Sequence, residues 1–193
     1  MKATPILGVL LIAASAIVLG GCVAAVGAGA AAGAVTALDR RSAGTLLDDQ
    51  VIELKIMGAL LGDTELSKQA HINTTSYNHM VLLSGEVPDE QLRERAGEIA
   101  RKHPKVRGIY NELTLAAPSS LLTRSSDSVI TGKVKSTLIA DKQLHAVRVK
   151  VVTENGTVFL LGLVTQAEAK RATEIARRIG GVQRVVKLFE YIN

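Results

Sequence analysis

Val81-Leu82-Leu83-Ser84-Gly85-Glu86-Val87 and Val158-Phe159-Leu160-Leu161-Gly162-Leu163-Val164 share one pattern, Val-x-Leu-x-Gly-x-Val, and the similarity spreads outward from both stretches. Toward the N-terminus, Val51-Ile52 and Lys55-Ile56 recur as Val129-Ile130 and Lys133-Val134, and Asp63 and Leu66 recur as Asp141 and Leu144. Toward the C-terminus, Ala96-Gly97-Glu98-Ile99-Ala100-Arg101 returns as Ala172-Thr173-Glu174-Ile175-Ala176-Arg177, and Val106 returns as Val182. The offset is 76 to 78 residues throughout. A repeat of that length is one folding unit used twice.

Each unit reads in the same order. Ile52, Ile56 and Leu60, like Ile130, Val134 and Leu138, fall on one stripe at helical spacing. Alternating runs follow, Val147-x-Val149-x-Val151 and then Val158-x-Leu160, around Asn155-Gly156, a pair that accepts positive φ and joins antiparallel strands. Asn78-His79 holds that place in the first copy and is a weaker hairpin signal. A second helix starts at the capping box Thr165-x-x-Glu168, buries Ala169, Ala172, Ala176 and Ile179, and stops at Gly180-Gly181; Asp89 and Pro104 play those parts in the first copy. A last strand, 106–115 or 182–191, completes an α-β-β-α-β unit. The expected fold is α+β, two such units in tandem, each a small three-stranded mixed sheet packed on two helices. With no Trp, three Tyr and two Phe in 193 residues, the cores must be aliphatic.

Ahead of the repeat, Lys2 precedes an apolar stretch, Pro5 to Leu19, that ends in Leu19-Gly20-Gly21-Cys22, the pattern of a secretory signal. Cys22 is the only cysteine, which excludes an intramolecular disulfide. From Val23 to Leu47 the chain is mostly Ala and Gly, too poor in large side chains to build a core, and reads as a tether with an rms reach of roughly 25 to 30 Å. The expected organisation is a signal peptide over 1–21, a tether over 22–47, a first unit over 48–115, a linker over 116–124 containing Ala117-Pro118-Ser119-Ser120, and a second unit over 125–193.

Leu19-Gly20-Gly21-Cys22 resembles the bacterial lipobox, which implies cleavage before Cys22 and acylation of its sulfur. Val23 stands where an aspartate would signal inner-membrane retention, so the resemblance implies the periplasmic face of the outer membrane. The element order, with Asn155-Gly156-x-Val158-x-Leu160-x-Gly162-x-Val164 and the Gly181-Val182-x-x-Val185 close, resembles the BON domain across residues 48–191. Lipobox and duplication together resemble the dual-BON-domain outer-membrane lipoproteins, relatives of the osmotically inducible periplasmic BON protein and sometimes called haemolysin-like.

The copies differ in charge: eight basic and eleven acidic residues over 46–115, against twelve and six over 121–193. On the first helix of the second copy, Val129 lies off the core stripe near Lys133 and Ser136, with Lys135 flanking and Arg124 just before the helix. An apolar residue among lysines suits a membrane surface. The same residues also suit a half-buried valine beside a solvated face, and the sequence leaves both readings open. Asp48, Asp49 and Glu53 stand in the corresponding region of the first copy, where they would repel an anionic bilayer.

The family resemblance implies that this helix contacts phosphatidylglycerol and cardiolipin, through Arg124, Val129, Ile130, Lys133, Lys135 and Ser136, and that the protein supports outer-membrane integrity at division sites. A competing expectation is an interaction module that docks on the outer-membrane protein assembly machinery or regulates envelope remodelling. His71, His79, His103 and His145 lack ligand spacing, and no nucleophile elbow or phosphate loop occurs, so neither a catalytic residue, a metal site nor a cofactor is assigned. Nucleic-acid binding, which a pI near 9.5 would suggest, conflicts with export and lacks aromatic platforms.

Overall fold

Ser42 and Ser120 open the two copies in the same way, each accepting a backbone N–H three residues on, from Thr45 at 3.0 Å and Thr123 at 3.1 Å. The computed structural model describes residues 38–193; the signal-like segment, Cys22 and the tether up to Ala37 lie outside the described residues. Behind Ser42 runs α1 (Ala43–Gly62), then a short α2 (Thr64–Gln69), β1 (His71–Tyr77), β2 (Met80–Val87), α3 (Glu90–Arg101), β3 (Gly108–Asn111) and β4 (Thr114–Leu115). The second copy follows as α4 (Leu121–Ala140), β5 (Val149–Glu154), β6 (Thr157–Val164), α5 (Gln166–Arg177) and β7 (Arg184–Tyr191). In each sheet the central strand pairs antiparallel with the first and parallel with the last. The first copy's last strand is broken, and β3 and β4 both pair with β2.

Asp89 caps α3, and Thr165 with Glu168 forms the full capping box of α5. Both hairpins turn through positive φ, at Asn78 and His79 and at Asn155 and Gly156. A side chain at φ near +60° is strained, and the fold holds each turn by a buried aspartate. Asp49 accepts the amides of Asn78 and His79, each at 2.8 Å, and Asp127 accepts those of Asn155 and Gly156, each at 2.9 Å. This duplicated brace lets Asn78-His79 make the same turn as Asn155-Gly156.

The expected stripes build two separate cores. Ile52, Ile56 and Leu60 pack with Val81, Leu83, Val87, Ala96 and Ala100 on one side of the first sheet. Ile130, Val134 and Leu138 pack with Val158, Leu160, Val164, Ala172 and Ala176 in the second. The opposite faces of the two sheets form a third core: Tyr77 and Leu82 pack against Phe159, Leu161 and Leu188. The two sheets therefore stack face to face with helices on the outside, four layers in all, and residues 38–193 are one compact unit. Gly85, at φ +119°, shows how tightly the strands are laid, since a Cβ there would fall 2.1 Å from the His71 carbonyl oxygen.

Polar bonds rim the seam. Lys150 Nζ lies 2.6 Å from Glu53 Oε1, and Arg107 lies 2.8 Å from Glu190. Deeper in, Asn73 donates to Glu154 and Asn155 donates to Glu86.

Two boundaries move. The tether was expected to run to Leu47, yet α1 begins at Ala43 and the preceding residues are pinned. Arg40 reaches Glu168 at 2.6 Å and the Leu163 carbonyl at 2.9 Å, while Arg41 reaches Asp49 at 3.0 Å and lies 3.8 Å over the Tyr77 ring. These bonds span the two copies, which is why poverty in large apolar residues did not leave this part free. The linker expected over 116–124 shortens likewise, because Ser120 caps a helix that starts at Leu121.

Candidate lipid-facing site on α4

α4 is a twenty-residue helix whose inward stripe, Asp127, Ile130, Val134 and Leu138, recurs every three or four residues. Asp127 braces the hairpin and the other three enter the core, which fixes the rotation of the helix. At about 100° per residue, the outward side then presents Ser125, Val129, Gly132 and Ser136. Val129 is 56 % exposed. Lys133 and Lys135 are exposed and flank that side from opposite directions, and neither has an acidic partner within 4 Å among the described residues. Ser136 turns its hydroxyl back to the Lys133 carbonyl at 3.0 Å.

Of the six residues expected to meet lipid, the structure brings Val129, Lys133, Lys135 and Ser136 onto the open side. Ile130 is a correction: it is 5 % exposed and packs in the core, because its position coincides with the inward stripe. Arg124 stands within α4 rather than before it, half-buried, with Nε and Nη2 donating to the Ser119 carbonyl at 3.2 and 2.8 Å. It lines an open cleft of about 450 Å³ with His71, Asn73 and Glu154, to one side of Val129. Sequence reasoning missed Leu121, Leu122 and Ile139, which are 77, 81 and 74 % exposed and carry the apolar surface to both ends of the helix. Their signal was available, since none falls on the core stripe.

The acidic residues of the first copy are a second correction. Asp48 pairs with Lys105 at 2.6 Å, Asp49 is 3 % exposed and bonded to Arg41, and Glu53 pairs with Lys150. None presents an uncompensated charge to a bilayer. Across the molecule, burial pushes the Glu168 carboxyl upward, but hydrogen bonds from Arg40, the Thr165 amide and Arg148 outweigh it and hold the group at about 2. Burial raises Glu154, with the bond from Asn73 opposing and the nearby Glu86 charge assisting. No group of three or more His, Cys, Asp or Glu among the described residues could hold a metal ion.

The BON domain family model matches residues 48–117 and again 126–193, most of the chain. This chain belongs to the BON-domain family. Three known proteins are similar to it. The outer membrane lipoprotein DolP of Haemophilus influenzae is 40 % identical over 193 residues, all of both chains. A 21 kDa hemolysin of Actinobacillus pleuropneumoniae is 41 % identical over 155 residues, 80 % of each chain, and osmotically-inducible protein Y of Escherichia coli is 32 % identical over 145 residues, 74 % of this chain and 72 % of its own. With full-length similarity to the first, this BON protein is an outer-membrane lipoprotein. No helix among the described residues is long and apolar enough to cross a membrane.

Proposed function

We propose that this lipoprotein is not an enzyme and that it binds anionic phospholipids, phosphatidylglycerol and cardiolipin, through the outward side of α4, supporting outer-membrane integrity at division sites. The observation that carries the reading is Val129, more than half exposed between two lysines without acidic partners among the described residues. An apolar side chain enters the interface while ammonium groups meet phosphates. Leu122 and Ile139 lengthen the apolar strip, so the helix can lie along a surface. Lys133 and Lys135 at about 1 kcal/mol each give roughly 2 kcal/mol, too little to hold a protein on a membrane unaided. Acyl chains on Cys22, at about 0.8 kcal/mol per buried CH₂, dominate attachment. The anchor then raises the concentration of α4 at the surface until a weak headgroup contact acts.

Flotation of the chain made without its acyl group tests the reading. Recovery with phosphatidylglycerol vesicles but not phosphatidylcholine, lost in Lys133→Glu, supports it. Equal recovery with both lipids, or indifference to Lys133→Glu, would favour docking on the outer-membrane assembly machinery instead.

A further inference from the structure

α1 is apolar on two sides. Ile52, Ile56 and Leu60 enter the core, while Leu47, Leu54 and Leu61 point outward and are 64, 69 and 65 % exposed. These three leucines are spaced by seven, and Val51 and Gly58 stand four residues after the first two, which makes a two-heptad a/d seam on the solvent side. Isolated exposed leucines are ordinary; a contiguous strip of them marks an interaction surface. α1 and α4 cover opposite outer layers of the molecule, so a bilayer facing α4 does not cover this strip.

We infer that α1 forms an antiparallel helix pair with α1 of a second copy of this chain. The seam is self-complementary in that direction. With Val51 set against Leu54 of the second copy, Leu47 meets Gly58 and Leu61 meets Gly44, so every layer joins a larger residue to a smaller one. Parallel pairing would stack Gly58 on Gly58 and leave a gap there, which close packing disfavours. A Cβ built at Gly58 meets nothing within 4 Å, and at Gly44 only Ser42 Oγ at 3.6 Å, so both are open to receive a leucine. Charge agrees with the register. Asp48 and Lys55 occupy the same flank, and antiparallel pairing brings Lys55 of each copy beside Asp48 of the other, as a second cation on a carboxylate that Lys105 already contacts at 2.6 Å. Lys55 has no acidic partner within 4 Å among the described residues.

The strip from Leu47 to Leu61 is about 22 Å long and about 10 Å wide. That falls well below the roughly 800 Å² per partner of a standard stable interface. The pair is therefore weak in dilute solution and forms where anchoring confines both copies to one surface. It leaves both α4 faces uncovered.

The test uses the mature acylated chain in phosphatidylcholine vesicles, which offer no anionic headgroups, so its failure is distinct from failure of the lipid reading. Leu47→Cys and Gly58→Cys chains, one bearing a larger tag, are reconstituted together and oxidised; the acylated Cys22 sulfur does not compete. Both substitutions lie on the solvent side, and far-UV circular dichroism confirms the fold. The mixed disulfide should exceed the Leu47→Cys homodimer at least five-fold, because antiparallel copies hold their two Leu47 positions about 16 Å apart. Leu54→Lys in both chains should reduce the mixed product at least five-fold. Absence of the mixed product, an equal yield from Leu47→Cys alone, or indifference to Leu54→Lys would each overturn the proposal.

Discussion

A buried carboxylate costs several kcal/mol unless hydrogen bonds replace its hydration, and the two aspartates that brace the hairpins meet that demand unequally. Asp49 accepts from Ser76 Oγ, two amides and Arg41, whereas Asp127 accepts the two turn amides. Asp127→Ala leaves both amides unsatisfied and should cost about 2 to 4 kcal/mol in urea unfolding; a loss below about 1 kcal/mol would show that the brace is dispensable. Glu168 makes the second residue-scale prediction. Its folded pKa of about 2 lies below the ordinary 4.5, so its stabilising contribution is present above 4.5 and is lost as pH falls from there to about 2. The stability difference between the native chain and Glu168→Gln, followed by thermal melting, should shrink across that window and stay flat above it. The capping box was legible because Thr165 and Glu168 are three residues apart. Asp49 was read as a bilayer-repelling surface charge and Asp127 was not singled out, because the amides they brace lie 28 to 30 residues away and meet them only when the hairpin folds back on the helix.

Helix rotation decides the chemistry of α4. Because Asp127, Ile130, Val134 and Leu138 face inward, Val129 faces outward, and its removal should separate stability from binding. Val129→Ala should change stability by no more than about 0.5 kcal/mol while weakening recovery on phosphatidylglycerol vesicles. Lys133→Glu replaces about 1 kcal/mol of attraction by a similar repulsion, roughly a thirty-fold loss of affinity, and added salt should compress that difference. A lowered melting temperature in Lys133→Glu would point to misfolding instead. The lysine pattern around Val129 was readable from spacing alone. Ile130 was misassigned because one residue, or 100° of rotation, separates the lipid side from the core. The charges of Asp48 and Glu53 were misread for another reason: Lys105 and Lys150, which neutralise them, are 57 and 97 residues distant.

At the scale of the molecule, duplication became a sandwich because β6 is apolar on both faces and the second face of β2 adds Leu82 beside the buried Ser84 and Glu86. The alternation Val-x-Leu-x-Gly-x-Val revealed the helix-facing core, and the residues between, Leu82, Phe159 and Leu161, supplied the seam. That run carries a signal of two-sided burial, but which surface it meets is a tertiary fact that periodicity does not hold. Leu161→Ala should cost about 2 to 5 kcal/mol, and because the seam is shared, both domains should unfold in one transition by circular dichroism. Two transitions would indicate that the domains fold independently. Glu154 sits at that seam with a raised pKa, so its favourable contribution is full below the ordinary carboxylate range and declines as pH rises through the folded value. Glu154→Gln should therefore raise the melting temperature more at pH 8 than at pH 4. The chain contains no tryptophan, so Val129→Trp places a single reporter on the outward side of α4. Its emission should move to shorter wavelength with phosphatidylglycerol vesicles, stay unchanged with phosphatidylcholine, and lose the shift in Lys133→Glu. An emission maximum indifferent to anionic lipid would contradict the assignment of this helix to the membrane.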